Sequence, residues 1–433
     1  MRLRKEVLVL KRLSGSLLPP EIALQIGYHN VDDAQTLRAM RLVSHEMCSA
    51  STEPLFSVLS FSKEEDFVNF SHLLRDTPAL TAVVNTVKMS VSLTEPSHPM
   101  LPCLHNVEEV QWSQNGPWDS GIARTYMARI FSRATRLALG DITFEHPQAF
   151  TLLLAACNPL QALDIQRCDA ASWQPVSDPD CEVLDFSELR ELTLVANGGS
   201  IRLPTVSNGK PNVPTRLRTL KLLSDRDFIN VHIDSSRDPC NLLQAIVFMR
   251  VSAPSLTHVT INPHSRERHA MGFNGAAAKN PSLTALTELT LHLGDVGGDT
   301  YVAEFFFASV TTSPMPQLTT LRFVCHVRGR GVELEWLHGL FGFGANARPL
   351  HADSLCVKFP SLQKVVWAFR AANHRTDYKT AGSIPELART EWYREAMERE
   401  LFRRLEEVEM GDAERLRSLV SIEWLDPMYQ PLY

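Results

Sequence analysis

The sequence predicts an α/β protein in which short parallel strands alternate with helices along most of the chain. One motif, apolar-x-x-apolar-x-apolar, occurs twelve times between residues 56 and 424, with starts about 28 residues apart in the first half of the chain. Several segments between the copies carry apolar residues at the three-to-four spacing of a helix. Repetition at this period predicts a solenoid of stacked strand and helix units, with one parallel sheet on the concave face and helices outside.

Residues that precede the repeats predict a short helical module instead. Leu18–Ile26 and Thr36–Met47 predict two short helices, with a polar turn over Asn30–Asp33 between them. A proline pair near the start of the first segment pre-sets the first helical turn. The predicted organisation is therefore an N-terminal segment at 1–15, a helical module at 16–55 and a repeat domain at 56–426.

The repeat copies predict one strand each. The seven clearest copies begin at Leu160, Leu189, Leu217, Leu256, Leu286, Leu318 and Leu362. Five weaker copies begin at Phe56, Val84, Val107, Ala134 and Leu419. The last two spacings, 44 and 57 residues, are much longer than the early ones and indicate insertions in the second half.

Between the strands, apolar stripes or helix-start residues predict helices. They are expected over Lys63–Arg75, Ser120–Ser132 and Pro147–Cys157, and after Asp238 and Asp299. A capping box at Ser383 predicts a long charged helix over 384–410. Segments rich in glycine, proline and asparagine, and two longer insertions, predict loops at Gly198–Pro214, Asn262–Pro281 and Gly329–Lys358.

Within each predicted strand, the positions between the apolar residues alternate outward to the concave face. Such a surface, polar and of mixed charge, suits recognition of a protein or peptide. For any single residue the alternative is a merely solvated side of the sheet. The candidate target-binding residues are Glu109, Gln111, Asp164, Glu191, Lys221, His258, Glu288, His292, Arg322 and Lys364.

Composition and charge exclude several classes of protein. The chain has 43 basic and 49 acidic residues and a formal net charge of −6, so it lacks the basic field that nucleic acid or an anionic membrane would require. Its eight cysteines include no CxxC pair, which predicts reduced, mostly buried thiols. No apolar run approaches the length of a membrane span or a signal-peptide core. We expect an intracellular protein, cytoplasmic and/or nuclear, with neither a nucleic-acid nor a membrane partner.

Motifs for catalysis and metal binding are weak. The fifteen histidines form no HExxH pair, and Cys157, Cys168 and Cys181 lack the paired ligands of a zinc site. The glycines at Gly329–Gly331 and Gly342–Gly344 lack the others that a nucleotide-binding loop needs. We therefore expect no metal, no cofactor and no catalytic residue.

The repeat resembles the leucine-rich repeat family. The family consensus LxxLxLxxN/C is matched in full by Leu160–Cys168 and Leu189–Asn197, and nearly by Val107–Asn115. Most other copies lack the asparagine or cysteine that caps the turn after the strand. The resemblance covers about residues 56 to 426 and implies an irregular leucine-rich-repeat solenoid.

The N-terminal module is similar to the F-box, through its LPPEI opening and its TLRAMRLVSHEM block. It departs from the family at Met47, where tryptophan or phenylalanine is usual, and at Gly27–Asn30, which replaces a more hydrophobic helix end. Members of that family dock this module on a Skp-type adaptor. The resemblance implies these adaptor-binding residues: Leu18, Pro19, Glu21, Ile22, Ile26, Leu37, Leu42, Val43 and Ser44.

Together the two resemblances imply a non-catalytic substrate-recognition subunit of an SCF-type cullin-RING ubiquitin ligase. The adaptor would link the chain to the cullin and RING subunits, and the repeats would bind a target protein of unknown identity. A second hypothesis is a non-catalytic repeat scaffold whose F-box-like segment only caps the open edge of the first repeat. A third, an enzyme within the repeats, has no constellation of nucleophile, base and orienting group to support it.

Overall fold

A computed structural model of the chain describes residues 19–31, 33–90, 104–118, 133–157, 160–170, 185–195, 203, 206–207, 210–211, 213–223, 247–261, 282–295, 315–327, 359–371, 391–407 and 418–425. These residues form an α/β structure, and thirteen of their strands lie in parallel sheet. The chain divides into two compact units, residues 1–137 and 138–433, which are described separately below.

Three helices open the described part of the first unit: α1 (Pro20–His29), α2 (Ala34–Met40) and α3 (His45–Ser57). Both α1 and α2 pack against α3. Asp33 caps α2 by accepting hydrogen bonds from the backbone N–H groups of Gln35 and Thr36. Ser44 caps α3 by accepting one from the N–H of Met47 at 3.2 Å. Short polar side chains thus satisfy the otherwise unpaired donors of both helix starts.

The predicted single helix over Thr36–Met47 is wrong. The segment contains the end of α2, a turn at residues 41–43 and the start of α3. Ser44 interrupts the helix because its backbone is extended, with φ −152° and ψ 171°, as an N-cap requires. Residues 52–56 also belong to α3, which continues through Pro54.

The contact between α1 and α3 depends on Gly27. A Cβ atom at this position would lie 2.5 Å from the carbonyl oxygen of Ala50. That carbonyl cannot receive the usual helical hydrogen bond from residue 54, because Pro54 has no N–H. The glycine therefore lets α1 approach α3 at the point where the proline leaves a carbonyl uncovered.

We expect the substitution Gly27→Ala to destabilise the helical module by about 1–2 kcal/mol. Alanine improves helix propensity by up to about 1 kcal/mol, but the contact with a backbone atom cannot be relieved by a rotamer change and overpacking costs about 1–3 kcal/mol. Hydrogen exchange of residues 20–57 measures the change. Gln25→Ala, at an exposed position of the same helix, is the control; equal protection in both variants would contradict the prediction.

The rest of the first unit alternates strands and helices. The elements are β1 (Val58–Phe61), α4 (Glu64–Asp76), a 3-10 helix (Pro78–Ala82), β2 (Thr86–Met89) and β3 (Glu109–Trp118). Strands β1, β2 and β3 pair in parallel in that order. Helix α4 confirms the helix predicted over Lys63–Arg75, and its Phe67 packs on Phe61 of β1 with ring centroids 5.4 Å apart.

The second unit begins inside β4 (Arg136–Phe144) and continues with a parallel sheet whose main strands follow chain order. The other elements are α5 (Pro147–Ala156), β5 (Ala162–Gln166), β6 (Asp169–Ala170), β7 (Glu191–Val195), β8 (Val206–Ser207), β9 (Lys210–Pro211), β10 (Thr219–Leu223), β11 (His258–Ile261), β12 (Glu288–Asp295), β13 (Thr320–Val327), β14 (Lys364–Ala371), α6 (Glu391–Glu407) and β15 (Val420–Leu425). The short β6 pairs with β4, and β8 and β9 form an antiparallel pair. The sheet order is β4, β5, β7, β10, β11, β12, β13, β14 and β15.

Every one of the twelve predicted strands is present in the two units. Each begins one or two residues after the first apolar position of its copy, as β10 does after Leu217 and β15 after Leu419. In most copies the apolar positions are buried and the positions between them are more exposed: in β11, Val259 and Ile261 are buried, Thr260 is half-buried and His258 is exposed. In β15 every residue is half-buried. Period-two burial at a regular spacing therefore predicted the sheet correctly.

A ladder of hydrogen bonds between successive repeats fixes the register. The residue after the first apolar position donates its backbone N–H to the carbonyl of its equivalent one repeat earlier. Thr257 donates to Arg218, Thr287 to Thr257 and Thr319 to Thr287, each at 2.9 Å. The hydroxyls of Thr287 and Thr319 donate to the same carbonyls, at 3.0 and 3.1 Å.

Outcomes for the predicted helices and loops are mixed. Helix α5 confirms the helix predicted over Pro147–Cys157, and α6 lies within the one predicted over 384–410, whose ends fall outside the described residues. The pair β8–β9 lies in the predicted loop Gly198–Pro214. Outside the described residues lie Ser120–Ser132, the two helix starts at Asp238 and Asp299, and the insertions Asn262–Pro281 and Gly329–Lys358.

Candidate functional site

The first candidate surface is the exposed apolar turn of the helical module, Leu42 and Val43, together with the exposed Ile22 of α1. The exposed fractions are 84% for Leu42, 66% for Val43 and 40% for Ile22. Leu42 and Val43 occupy the turn between α2 and α3, held by hydrogen bonds from their backbone N–H groups to the carbonyls of Ala39 and Met40, both at 3.0 Å. Adjacent apolar side chains this exposed in a turn contribute nothing to the core, so the turn is typical of a binding surface.

The other predicted adaptor-binding residues take different positions. Pro19 and Glu21 are exposed, and Ile26 is half-buried. Leu37 is only 1% exposed and packs inside the module, and Ser44 is the N-cap of α3. Leu18 lies outside the described residues. The structure thus places Leu37 inside the module, whereas Ser44 is exposed and also forms the N-cap of α3.

Helix α1 presents a second apolar stripe that sequence reasoning missed. Leu24, Tyr28 and Val31 are all exposed and are separated by four and three residues. A hydrogen bond with the Glu53 carboxylate is the main reason that the pKa of Tyr28 is raised, and it fastens the ring to α3. The spacing of these apolar residues is visible in the sequence, but by itself such spacing predicts a buried helix face. Which face of the helix is exposed depends on where the neighbouring helices pack.

The second candidate surface is the sheet face of the second unit that carries the outward positions of the strands. Parallel register aligns these positions in two rows across the sheet. The first row is Glu191, Thr219, His258, Glu288, Thr320 and Lys364. The second row is Asp164, Thr193, Lys221, Thr260, Thr290 and Arg322. Seven of the ten predicted target-binding residues therefore lie in two adjacent lines, about 4.8 Å from strand to strand.

Asp164 is a poorly satisfied acid on this face. Its Oδ2 accepts a hydrogen bond from Nε2 of Gln166 at 3.0 Å, whereas its Oδ1 is buried and has no donor in the described part of the chain. Burial raises the pKa of the carboxyl above its ordinary 3.8, although the Gln166 bond and the charge of Lys221 act in the opposite direction. An ionised carboxylate in this setting costs stability. Perturbed acids of this kind occur preferentially at functional sites.

We expect Asp164→Asn to stabilise the second unit at neutral pH by roughly 1 kcal/mol, the scale of one incompletely satisfied polar group. Because the folded-state pKa is raised, wild type loses stability as pH rises from 3.8 through that pKa, and asparagine does not titrate. The variant's advantage in urea unfolding should therefore grow between pH 4 and pH 7. Asp66→Asn, at an exposed position of α4, is the control, and an advantage that shrinks with pH would contradict the prediction.

At the far end of the rows, two predicted target-binding cations share one carboxylate. Nη2 of Arg322 lies 2.5 Å from Oε2 of Glu423, and Nζ of Lys364 lies 3.6 Å from Oε1 of the same group. These contacts connect β13 and β14 with β15. The cations of this region are therefore largely neutralised within the chain.

Beside this ion-pair group the sheet face is closed. Val324, Val366 and Ala368 occupy outward positions but are buried, with Leu425 packed against them. His292, a predicted target-binding residue, aligns with Val324 and is half-buried. The open part of the second unit's face is thus on β5, β7, β10, β11 and the beginning of β12.

Glu109 and Gln111, the remaining predicted target-binding residues, lie on β3 in the first unit. Nε2 of Gln111 donates a hydrogen bond to Oε1 of Glu109 at 2.6 Å. Both residues are half-buried. They form a small polar pair of their own.

No group of three or more metal-ligating side chains occurs within the described ranges. The cysteines there, Cys48, Cys157, Cys168 and Cys325, are free. Burial raises the pKa of Cys157 and of Cys168 to about 12, and raises that of Cys325 as well. These three thiols are protonated at neutral pH and are poor nucleophiles and poor ligands.

Cys168 follows β5 and is buried, and its Sγ contacts the carbonyl of Gln166 at 3.4 Å. Two residues near it have left-handed backbone angles. Asp141 and Arg167, at equivalent positions of neighbouring repeats, have φ of 57° and 50° and are joined by a two-point ion pair at 2.5 and 2.7 Å.

The described helices include none that is both long and apolar enough to cross a bilayer. In comparisons with known proteins, neither the models of protein families nor the curated proteins gave a match to this chain.

Proposed function

We propose that the chain is a non-catalytic substrate receptor of an SCF-type cullin-RING ubiquitin ligase, acting in the cytoplasm and/or the nucleus. The observation that carries the proposal is the exposure of three apolar residues of the helical module, Ile22, Leu42 and Val43. These residues coincide with positions that the F-box resemblance assigns to the Skp-type adaptor. A parallel repeat sheet with polar outward rows follows in the chain, as a target-binding domain would.

Such a receptor acts by proximity. The helical module binds the adaptor, which links it to the cullin and RING subunits, and the polar rows hold the target. Holding both raises the effective concentration of target lysines beside activated ubiquitin. In this proposal no group of the chain takes part in bond formation.

Binding of the purified chain to a Skp-type adaptor, measured by calorimetry, tests the proposal. We expect binding by wild type and at least a tenfold loss in Ile22→Asp, because a charge would enter an apolar interface. Leu73→Asp is the matched control, since Leu73 is equally exposed on α4 and belongs to no proposed surface. Absence of binding by folded wild type would overturn the proposal and favour a scaffold in which the module is only a cap.

A further inference from the structure

Ser44 combines exposure with a pair of upstream arginines. It follows the exposed turn of Leu42 and Val43 and is itself exposed. In the whole sequence it is the only serine or threonine with arginine both three and six positions before it, Arg41 and Arg38. Both arginines are exposed, and neither forms an ion pair within the described ranges. Many protein kinases recognise a target serine by upstream guanidinium groups, which pair with carboxylates in the kinase's substrate groove.

The segment before Ser44 can open at little cost to the core. At Ser44 the backbone is already extended, with φ −152° and ψ 171°. Of residues 38–44 only Met40 is buried. Helix α2, which ends at Met40, has 7 residues, and a helix this short is marginal without tertiary packing. Segments with few buried contacts open locally at a free energy below that of global unfolding, so a kinase can bind this one.

Two threonines of the sheet show why an upstream arginine is not sufficient. Arg190 precedes Thr193 and Arg216 precedes Thr219, in each case by three positions. Both threonines are half-buried and lie in strands that pair on both sides, β7 and β10. A kinase could bind them only after a central strand had left the sheet. Of these three hydroxyl residues, Ser44 alone is accessible.

A phosphate at Ser44 would change the charge of the docking turn without removing the helix cap. The hydroxyl oxygen accepts the N–H of Met47 at 3.2 Å. The pKa of Glu46 is lowered by its own backbone N–H and by a hydrogen bond from the same hydroxyl. Phosphorylation removes that hydrogen and adds about 1.5–2 negative charges, which repel the Glu46 carboxylate. Phosphate oxygens can still accept the N–H groups at the start of α3, where the helix dipole favours an anion.

We propose that Ser44 is a phosphorylation site of an arginine-directed protein kinase, and that the modification releases the chain from its adaptor. In the reaction Oγ of Ser44 forms a bond to the γ-phosphorus of ATP, while the bond from that phosphorus to the β,γ-bridging oxygen breaks. ADP leaves with that electron pair, and the hydroxyl proton passes to the catalytic base of the kinase. The phosphate next to Val43 would then have to be desolvated in an apolar interface, which opposes docking. The inference rests on the proposed function, because it assigns the turn to adaptor binding.

Phosphorylation of the purified full chain tests the site. The probe is the catalytic domain of a calcium/calmodulin-dependent protein kinase, which requires arginine three positions before serine, with Mg²⁺ and ATP. Mass spectrometry should locate phosphate on Ser44 and none on Thr193 or Thr219. We expect Arg41→Ala to slow the reaction at Ser44 at least about tenfold, because it removes a charge-assisted contact with the kinase. Unfolding of the segment would accelerate the reaction, so a folding defect cannot imitate this result. Arg75→Ala, at an exposed position of α4, is the control and should react as wild type does.

Calorimetry with the Skp-type adaptor tests release. The phosphorylated chain should bind adaptor at least about tenfold more weakly than the untreated chain, and phosphatase treatment should restore the affinity. Kinase treatment of Ser44→Asn, which keeps a side-chain cap but has no hydroxyl, should leave that variant's affinity as it was before treatment. Ser44→Asp also caps the helix, and it should bind adaptor at least about threefold more weakly than Ser44→Asn, because the two side chains differ by one charge.

Three results would each overturn the inference: no phosphate on Ser44, equal phosphorylation of Arg41→Ala and wild type, or equal adaptor affinity before and after phosphorylation. Loss of affinity in kinase-treated Ser44→Asn would also overturn it, because another residue would then be responsible. Adaptor binding of the untreated chain is measured on the same preparation. If the untreated chain binds adaptor, any of these results refutes this inference alone, whereas a chain that takes phosphate at Ser44 but binds no adaptor when untreated refutes the proposed function and the release step with it.

Discussion

Replacement of Leu42 and Val43 together by aspartate is expected to weaken adaptor binding by at least about 100-fold. Burial of an exposed leucine or valine side chain in an interface contributes about 1.5–3 kcal/mol to the free energy of binding. Leu42 and Val43 expose most of their side chains, so most of each can be buried by a partner. The variant loses that burial and places two carboxylates in an apolar interface. A loss of about 3 kcal/mol or more is the scale of an interface hot spot, and calorimetry with the purified adaptor measures it.

The same variant should fold normally, because neither side chain belongs to the core. Thermal unfolding of the variant and wild type should therefore agree within about 0.5 kcal/mol. Leu37→Asp provides the contrast: Leu37 is buried in the module, so its change would reduce adaptor binding through unfolding. Full adaptor affinity in the doubly substituted, folded variant would show that the turn between α2 and α3 is not the docking surface.

The sheet could be predicted from the sequence because its signal is local and repeated. In the copy that contains β10, Leu217, Leu220 and Leu222 are buried while Thr219 and Lys221 are more exposed, and a similar arrangement returns in most repeats. Alternation of apolar and polar residues, together with a neighbouring strand in the same register, is enough to bury one face of a strand. Even the last copy, at Leu419, is a strand, because Ile422 pairs with Trp367 and Trp424 pairs with Phe369 of β14.

The helical module was harder to predict because its apolar residues do not all point inward. Leu42 and Val43 continue the apolar composition of α2, which suggested one long helix, yet they lie in an exposed turn. Periodicity assumes that apolar residues are buried, and an exposed apolar turn violates that assumption. Ser44 was the local signal for the break, since it is a favourable N-cap residue.

The repeat motif also failed to predict that one end of the sheet face is closed. Val366 and Ala368 lie at outward positions, where the pattern predicts exposure, but Val365–Phe369 is a continuous apolar run. Such runs are typical of strands buried on both faces. The run was visible in the sequence, whereas the ion pair of Glu423 with Arg322 beside it joins side chains that lie 101 residues apart in the chain.

Trp367→Ala is expected to destabilise the second unit by about 3–5 kcal/mol, because it removes a large side chain from the interior of β14. Trp367 is 1% exposed and stacks on Phe323 of β13 at a centroid distance of 4.6 Å. It also pairs with Ile422 of β15. In a repeat stack each unit contacts mainly its neighbours. Amide exchange should therefore accelerate first in β13, β14 and β15 and least in β5 and β7.

Trp392→Ala is the matched control, since it deletes the same side chain from a position that is 62% exposed on α6. Its cost should stay below about 0.5 kcal/mol, as for most surface substitutions. Urea unfolding followed by circular dichroism separates the two variants, because both lose one tryptophan and fluorescence alone would change in each. Equal destabilisation by the two changes, or faster exchange spread evenly from β5 to β15, would contradict an interior role for Trp367 and a sheet stabilised repeat by repeat.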